Sequence, residues 1–224
     1  MDVQMLSRVL RPGGIVWPGD PSLAVEQLYD LSRGDPCNAF LLHLFNHCGT
    51  HVDGPRHFNP DAPTLAEIPF DSFVFRSVAL VDVPCDDEER IGPEALRRAV
   101  PAGWLCDLLM IRTGFGALRD AEPERYINHS PYLSPGAACL IANELPTVRA
   151  VAVDTLSVGS VACPEESGEI HRILCGTGRQ DGRFVLIYED VRMDHLWATP
   201  VRVWGLPLLV EGLDSAPVVM AAEV

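Results

Sequence analysis

The residues best suited to chemistry lie between Asn46 and Phe58. Three of the chain's seven histidines, His47, His51 and His57, fall there together with one carboxylate, Asp53. Imidazole nitrogen and carboxylate oxygen are donors that zinc accepts. All four side chains occupy odd positions, and on an extended backbone residues two apart share a face. A straight strand would nevertheless hold His47 and His51 about 13 Å apart, at roughly 3.3 Å per residue. That is too far to share an ion whose ligand bonds are about 2 Å long. The backbone must bend, and Gly49 and the Gly54-Pro55 pair permit it. His51 and Asp53 converge without help. A histidine-rich surface loop is the plain alternative, but three histidines at this spacing around an aspartate favour a curled metal-binding segment. Cys48 has the opposite parity and is expected to face away, which argues against a Cys–His nucleophile pair.

The run His47-Cys48-Gly49-Thr50-His51-Val52-Asp53-Gly54-Pro55-Arg56-His57 resembles the His-x-Gly-Thr-His-x-Asp-x-Pro-x-His signature of the metal-dependent cyclase/hydrolase family that includes bacterial kynurenine formamidase. It departs at none of the named positions. The resemblance implies that His47, His51 and Asp53 are metal ligands, with Asp53 bridging two ions, and that His57 gives and takes protons. Chemistry agrees, because one histidine must stay off the metal to move protons near neutral pH. The resemblance further implies that His171 and Glu189 complete the metal site, Glu189 as a second bridge. Their eighteen-residue separation is longer than in the formamidases, and the polar stretch 178–183 is the expected extra, an insertion that a surface loop absorbs cheaply. Glu165, Glu166 and Glu169 are nearer in sequence but suit a helix start, where acids are favoured. Trp17, in Trp17-Pro18-Gly19-Asp20, would be an aromatic wall for substrate. Asp154-Thr155-Leu156-Ser157 also resembles the family, where it packs beside the site, although a turn or cap role suits Asp154 equally well. One or two zinc ions per subunit are implied as cofactor, with manganese suited to the same donors.

The whole chain is consistent with such an enzyme. Its 224 residues, 47% hydrophobic and 21% charged, are expected to form one domain over 1–224 with a substantial core. A net charge of -14 disfavours nucleic acid and anionic membranes as partners and leaves a small-molecule substrate. All 17 basic residues are arginines, so a lysine Schiff base, a pyridoxal-phosphate site and a P-loop are excluded. No basic start followed by an apolar run opens the chain, and no segment approaches the roughly 20 apolar residues of a membrane span. Seven cysteines without a pairing pattern suggest reduced thiols and a cytoplasmic location.

Strands and helices alternate, which predicts the α/β class; the resemblance narrows this to a swivelling β/β/α single domain that forms a homo-oligomer, dimer or tetramer. Residues 17–20 should form a type II turn, and 21–40 read as helix-to-loop. Strands are expected at 40–46, 77–83, 108–112, 148–153, 184–188, 200–203 and 207–210. Helices are expected at 93–100, 134–145 and from 168, with one helical turn at 65–69. Residues 126–135 read as irregular, and His129 among them as a surface residue. Gly114 and Gly116 alone are too little for a phosphate site.

The leading expectation is a zinc hydrolase of a small amide, formamide or lactam, with N-formylkynurenine as first candidate. A polyketide-type cyclase or an isatin-type lactam hydrolase could use the same site. A non-catalytic metal protein is a third reading, but a structural site is closed by four ligands and needs no spare base such as His57.

Overall fold

The computed structural model describes residues 2–101 and 103–224. In chain order the strands and α-helices are β1 (Val3–Met5), β2 (Ala24–Tyr29), β3 (Ala39–His43), β4 (His51–Asp53), β5 (Val74–Phe75), β6 (Val78–Asp82), β7 (Arg90–Ile91), α1 (Pro93–Ala99), β8 (Leu108–Arg112), α2 (Pro123–Asn128), β9 (Tyr132–Leu133), α3 (Pro135–Glu144), β10 (Ala150–Val153), α4 (Pro164–Leu174), β11 (Leu186–Glu189), β12 (Arg202–Pro207) and β13 (Ser215–Glu223). Nine strands form one mixed sheet in the order β5-β12-β13-β4-β11-β10-β8-β6, with β1 beside β13.

The sheet has two halves. Strands β6, β8, β10 and β11 run parallel. Their near-continuous apolar sequences, such as Leu108-Leu109-Met110-Ile111 and Ala150-Val151-Ala152-Val153, suit strands covered on both faces. Strands β4, β13, β12 and β5 pair antiparallel. Short β4 stands at the junction, antiparallel to both β11 and β13. At opposite ends of the order, β5 and β6 are separated in sequence only by Arg76 and Ser77. The sheet therefore curls until its edges nearly meet, giving a mixed α/β fold with a near-barrel sheet.

Alternation along the strands builds two cores. Leu109, Ile111, Val151, Val153 and Ile187 face Leu96 of α1, Ala138 and Ile141 of α3, and Ile170 and Leu174 of α4. Leu108, Met110, Ala150, Ala152 and Tyr188 face inward, with Val52, Phe73, Phe75, Val203, Val218 and Met220. Tyr188 donates from its hydroxyl to the Gly205 carbonyl at 2.9 Å. A Cβ at Gly205 would lie 2.5 Å from the Tyr188 ring, so only glycine fits there. Helix α3 starts as expected, with Pro135 in its first turn and the Ser134 hydroxyl accepting from the Ala137 N–H at 3.1 Å.

Several elements differ from the sequence expectation. Residues 21–40 hold β2 and the start of an antiparallel β2–β3 hairpin rather than helix and loop. Every residue of β2 is exposed, so no burial imposes the two-residue period by which a strand is read. The 126–135 stretch contains the end of α2 and β9, while His129 is at the surface, bonded to Glu88 at 2.6 Å. Helix α4 begins at Pro164, four residues before the expected start, with proline in its first turn. The two short strands expected at 200–210 are one strand, β12, and its partner β13 is the nine-residue C-terminal strand. No described helix is long and apolar enough to cross a membrane.

Candidate metal centre

The junction of the two half-sheets positions the motif. His51 of β4 pairs with Glu189 of β11, and Asp53 pairs with Ile187 on one side and Ser215 on the other. His51 and Asp53 share one face, while Val52 turns into the inner core. The bends fall where glycine and proline allowed them. Gly49 has φ +64 and returns His47 toward the strand, and a Cβ there would collide with the Leu10 side chain. Past the strand, the Gly54 N–H donates to the Asp214 carbonyl at 2.8 Å. Pro55 then opens a single 3-10 turn that carries His57 back. The expected type II turn is also present, with Gly19 at φ +97 and the Asp20 N–H donating to the Trp17 carbonyl at 3.0 Å.

All six predicted centre residues come together. Asp53 Oδ1 lies 3.0 Å from His47 Nδ1 and 3.5 Å from His51 Nε2. Its Oδ2 lies 3.8 Å from His171 Nε2 and 3.9 Å from His57 Nε2. Glu189 reaches His51 Nε2 with Oε2 and His171 Nε2 with Oε1, each at 3.4 Å. Two triads have donor atoms close enough to share an ion, namely His47, Asp53 and His57, and His51, Asp53 and Glu189. Asp53 belongs to both.

The donor chemistry fits a divalent cation. His51 Nδ1 bonds the Gly49 carbonyl at 2.8 Å and His171 Nδ1 bonds the Ser167 carbonyl at 2.7 Å. Each ring therefore keeps its proton on Nδ1 and turns the Nε2 lone pair inward, the arrangement by which proteins orient metal-binding imidazoles. His51 Nε2 and Asp53 Oδ1 are buried without a hydrogen-bond partner. Buried polar atoms seldom stay orphaned, and a cation among the triads would satisfy both. His47, His51, Asp53, His171 and Glu189 would hold such an ion.

Without metal, the cluster binds protons instead. Burial pulls the His51 imidazole down, but the neighbouring Glu189 and Asp53 carboxylates push it up to about 9. Burial likewise opposes, and Glu189 outweighs it to raise, His171. Glu189 itself is held well below the ordinary carboxylate range, the two histidines overcoming its burial. Metal must expel these protons, so affinity is expected to weaken as pH falls below about 9, roughly tenfold per pH unit for each proton released. Competition with a zinc chelator at pH 6, 7 and 8 measures the slope. A pH-independent affinity would contradict this assignment.

Two further groups were not legible as site residues. Asp214 Oδ2 accepts from His57 Nδ1 at 2.8 Å, leaving His57 Nε2 facing the cluster. The bond to His57 holds the Asp214 carboxyl down at about 2. Asp214 Oδ1 also accepts from Asn46 at 3.2 Å, so one residue braces both ends of the motif. Ser157 Oγ and the Val158 N–H donate to Glu189 Oε1 at 2.8 and 2.7 Å and fix that carboxylate. Asp214 lies 157 residues from His57, in the stretch 211–217, whose similarity to a family tail pointed to closure of the domain and not to the site. For Ser157, the Asp-Thr-x-Ser similarity was the available signal. Asp154 has the structural role: it accepts from the N–H groups of Thr113, Gly114 and Gly116, which removes those donors from any phosphate.

A cavity of about 570 Å³ opens over the cluster, walled by Trp17, Phe45, Phe58 and Leu156. Phe58 stacks on His171 with ring centroids 5.0 Å apart. Glu165, Glu166 and Glu169 line a different hollow outside α4. Cys48 lines another cavity beside Arg8 and Arg119, and burial raises its thiol above the ordinary value, as unsuited to a nucleophile as its parity suggested.

A near-barrel mixed sheet with a shared-carboxylate His/Asp/Glu cluster at its junction defines the class: an α/β protein built around a site able to hold metal. The Cyclase family model matches residues 5–160, and the chain belongs to that family. His171 and Glu189 lie beyond the matched residues. An uncharacterized protein of Haemophilus influenzae is 30% identical over 124 residues, 55% of this chain and 87% of that one. Among solved structures, isatin hydrolase A from Labrenzia aggregata bound to benzyl benzoate has TM-score 0.80 at 22% identity, covering 99% of this chain and 93% of the other. An isatin hydrolase bound to the product analogue thioisatinate has TM-score 0.82 at 17% identity, covering 100% and 92%. A predicted metal-dependent hydrolase from Bacillus stearothermophilus has TM-score 0.74 at 19% identity, covering 99% and 97%.

Proposed function

We propose that this protein is a metal-dependent hydrolase that cleaves the C–N bond of a small aromatic amide, formamide or lactam. The observation that carries the reading is the pair of donor triads sharing Asp53, with His51 Nε2 and Asp53 Oδ1 orphaned between them. Zinc is the proposed ion, with manganese suited to the same donors. An ion in this site supplies Lewis acidity, activating water and polarising a carbonyl. His57 does the proton work. With Nδ1–H tied to Asp214, its Nε2 is free to take a proton from the attacking water and pass it to the leaving nitrogen. Trp17, Phe45 and Phe58 give an aryl ring a wall to stack on. We also read residues 1–224 as one working unit that assembles as a homo-oligomer in the cytoplasm.

N-formylkynurenine is the first candidate, supported by the motif and by the aromatic wall. An isatin-type lactam is the second, supported by the isatin hydrolases among the similar structures. Absorbance assays of N-formyl-L-kynurenine and isatin with zinc- and manganese-loaded protein, beside a chelated control, test both. Chelator-sensitive hydrolysis of either is the expected result. Inertness toward both, in protein shown to hold metal, would overturn C–N hydrolysis and favour carbonyl activation for cyclisation.

A further inference from the structure

The cavity holds one cation that neither the metal cluster nor the proton transfer uses. Arg172 follows His171 on α4, is exposed, and lines the same cavity as Trp17, Phe45 and Phe58. Its guanidinium makes no ion pair or hydrogen bond among the described residues, although α4 is acidic. Glu166 is engaged by Arg90, whose Nε donates to Oε1 at 2.6 Å. The guanidinium lies over Gly168, on the rim between this cavity and the hollow of Glu165, Glu166 and Glu169, which both residues also line, and a Cβ on Gly168 would be 3.2 Å from Arg172 Nη1. Apart from the clustered acids and histidines, the other charged wall group is Asp20, on the turn that carries Trp17.

A free guanidinium beside aromatic walls has a definite preference. Its planar array of donors matches a carboxylate in two parallel charge-assisted hydrogen bonds. In a chain of net charge -14, an unpaired arginine at a substrate cavity also offsets the general repulsion of anions. We propose that Arg172 binds a carboxylate on the substrate, so that the site selects aromatic amides bearing a carboxylate remote from the scissile bond over neutral ones. This rests on the reading of the cavity as an amide hydrolase site, and it favours an amino-acid-like formamide over a neutral lactam.

The test compares an acid with its ester, so that turnover is not required. Binding of L-kynurenine and L-kynurenine methyl ester to zinc-loaded protein is measured by titration calorimetry in wild type, R172A and R172K. Wild type is expected to bind the acid about tenfold or more tightly than the ester, the worth of a charge-assisted pair. That ratio falls to within about twofold in R172A, and R172K, which keeps charge without the fork, lies between. Because Arg172 is exposed, metal content and melting temperature serve as controls that the variants are intact. An unchanged acid-to-ester ratio in R172A, or no acid preference in wild type, overturns the proposal. Acid-selective binding through Arg172 in a protein that hydrolyses no amide would instead leave Arg172 in its role and remove the hydrolase reading.

Discussion

Asp53→Asn is expected to remove metal and activity together. Asp53 is the residue both triads share, its two oxygens facing four histidines at 3.0 to 3.9 Å. Asparagine keeps the shape and one carbonyl oxygen but loses the charge and one acceptor. Loss of an outer-sphere partner alone costs about 10–100-fold in metal affinity, and a shared direct ligand is expected to cost more. Elemental analysis after dialysis should find the variant largely metal-free, with turnover near the chelated control. Circular dichroism should find it folded, because β4 is held by backbone pairing to β11 and β13. Full metal content in Asp53→Asn would mean that the ion sits elsewhere.

His57→Ala is expected to behave in the opposite way, keeping metal and losing turnover. A positioned acid/base contributes about 10²–10⁴-fold to rate, and kcat should fall by that order. The geometry makes this a sharp test, because His57 is also close enough to His47 and Asp53 to be a ligand. One feature separates it from His51 and His171: it is more exposed, at 24% against 5% and 7%. A variant that loses one equivalent of metal would make His57 a ligand and leave the proton transfer to another group.

What could be read in the sequence followed the reach of the physical signal. The 47–57 segment was legible because its chemistry is local: residue parity set the shared face, and Gly49 and Gly54-Pro55 marked the bends. Strands β6 and β8 and helix α3 were legible because burial or a cap imposes a pattern on their own residues. Hairpin β2–β3 was not, since β2 has no buried face. Strand β13 alternates buried and more accessible residues, but with small side chains and an internal proline, Pro217, that disguise the period. His171 and Glu189 were reached through similarity alone. The structure places them within 3.4 Å of each other, and the longer connection forms a turn-rich loop between α4 and β11. Asp214 depended on a tertiary contact that no local spacing encodes, and Ser157 was reachable only through the similarity of 154–157.

An anomalous-scattering map at the zinc edge, from crystals of zinc-loaded protein, shows whether the cluster around Asp53 holds metal. A peak bounded by His51, Asp53 and Glu189 is expected, with any second peak sharing Asp53. A protein that takes up no zinc, or a map with its peak away from Asp53, would contradict that expectation.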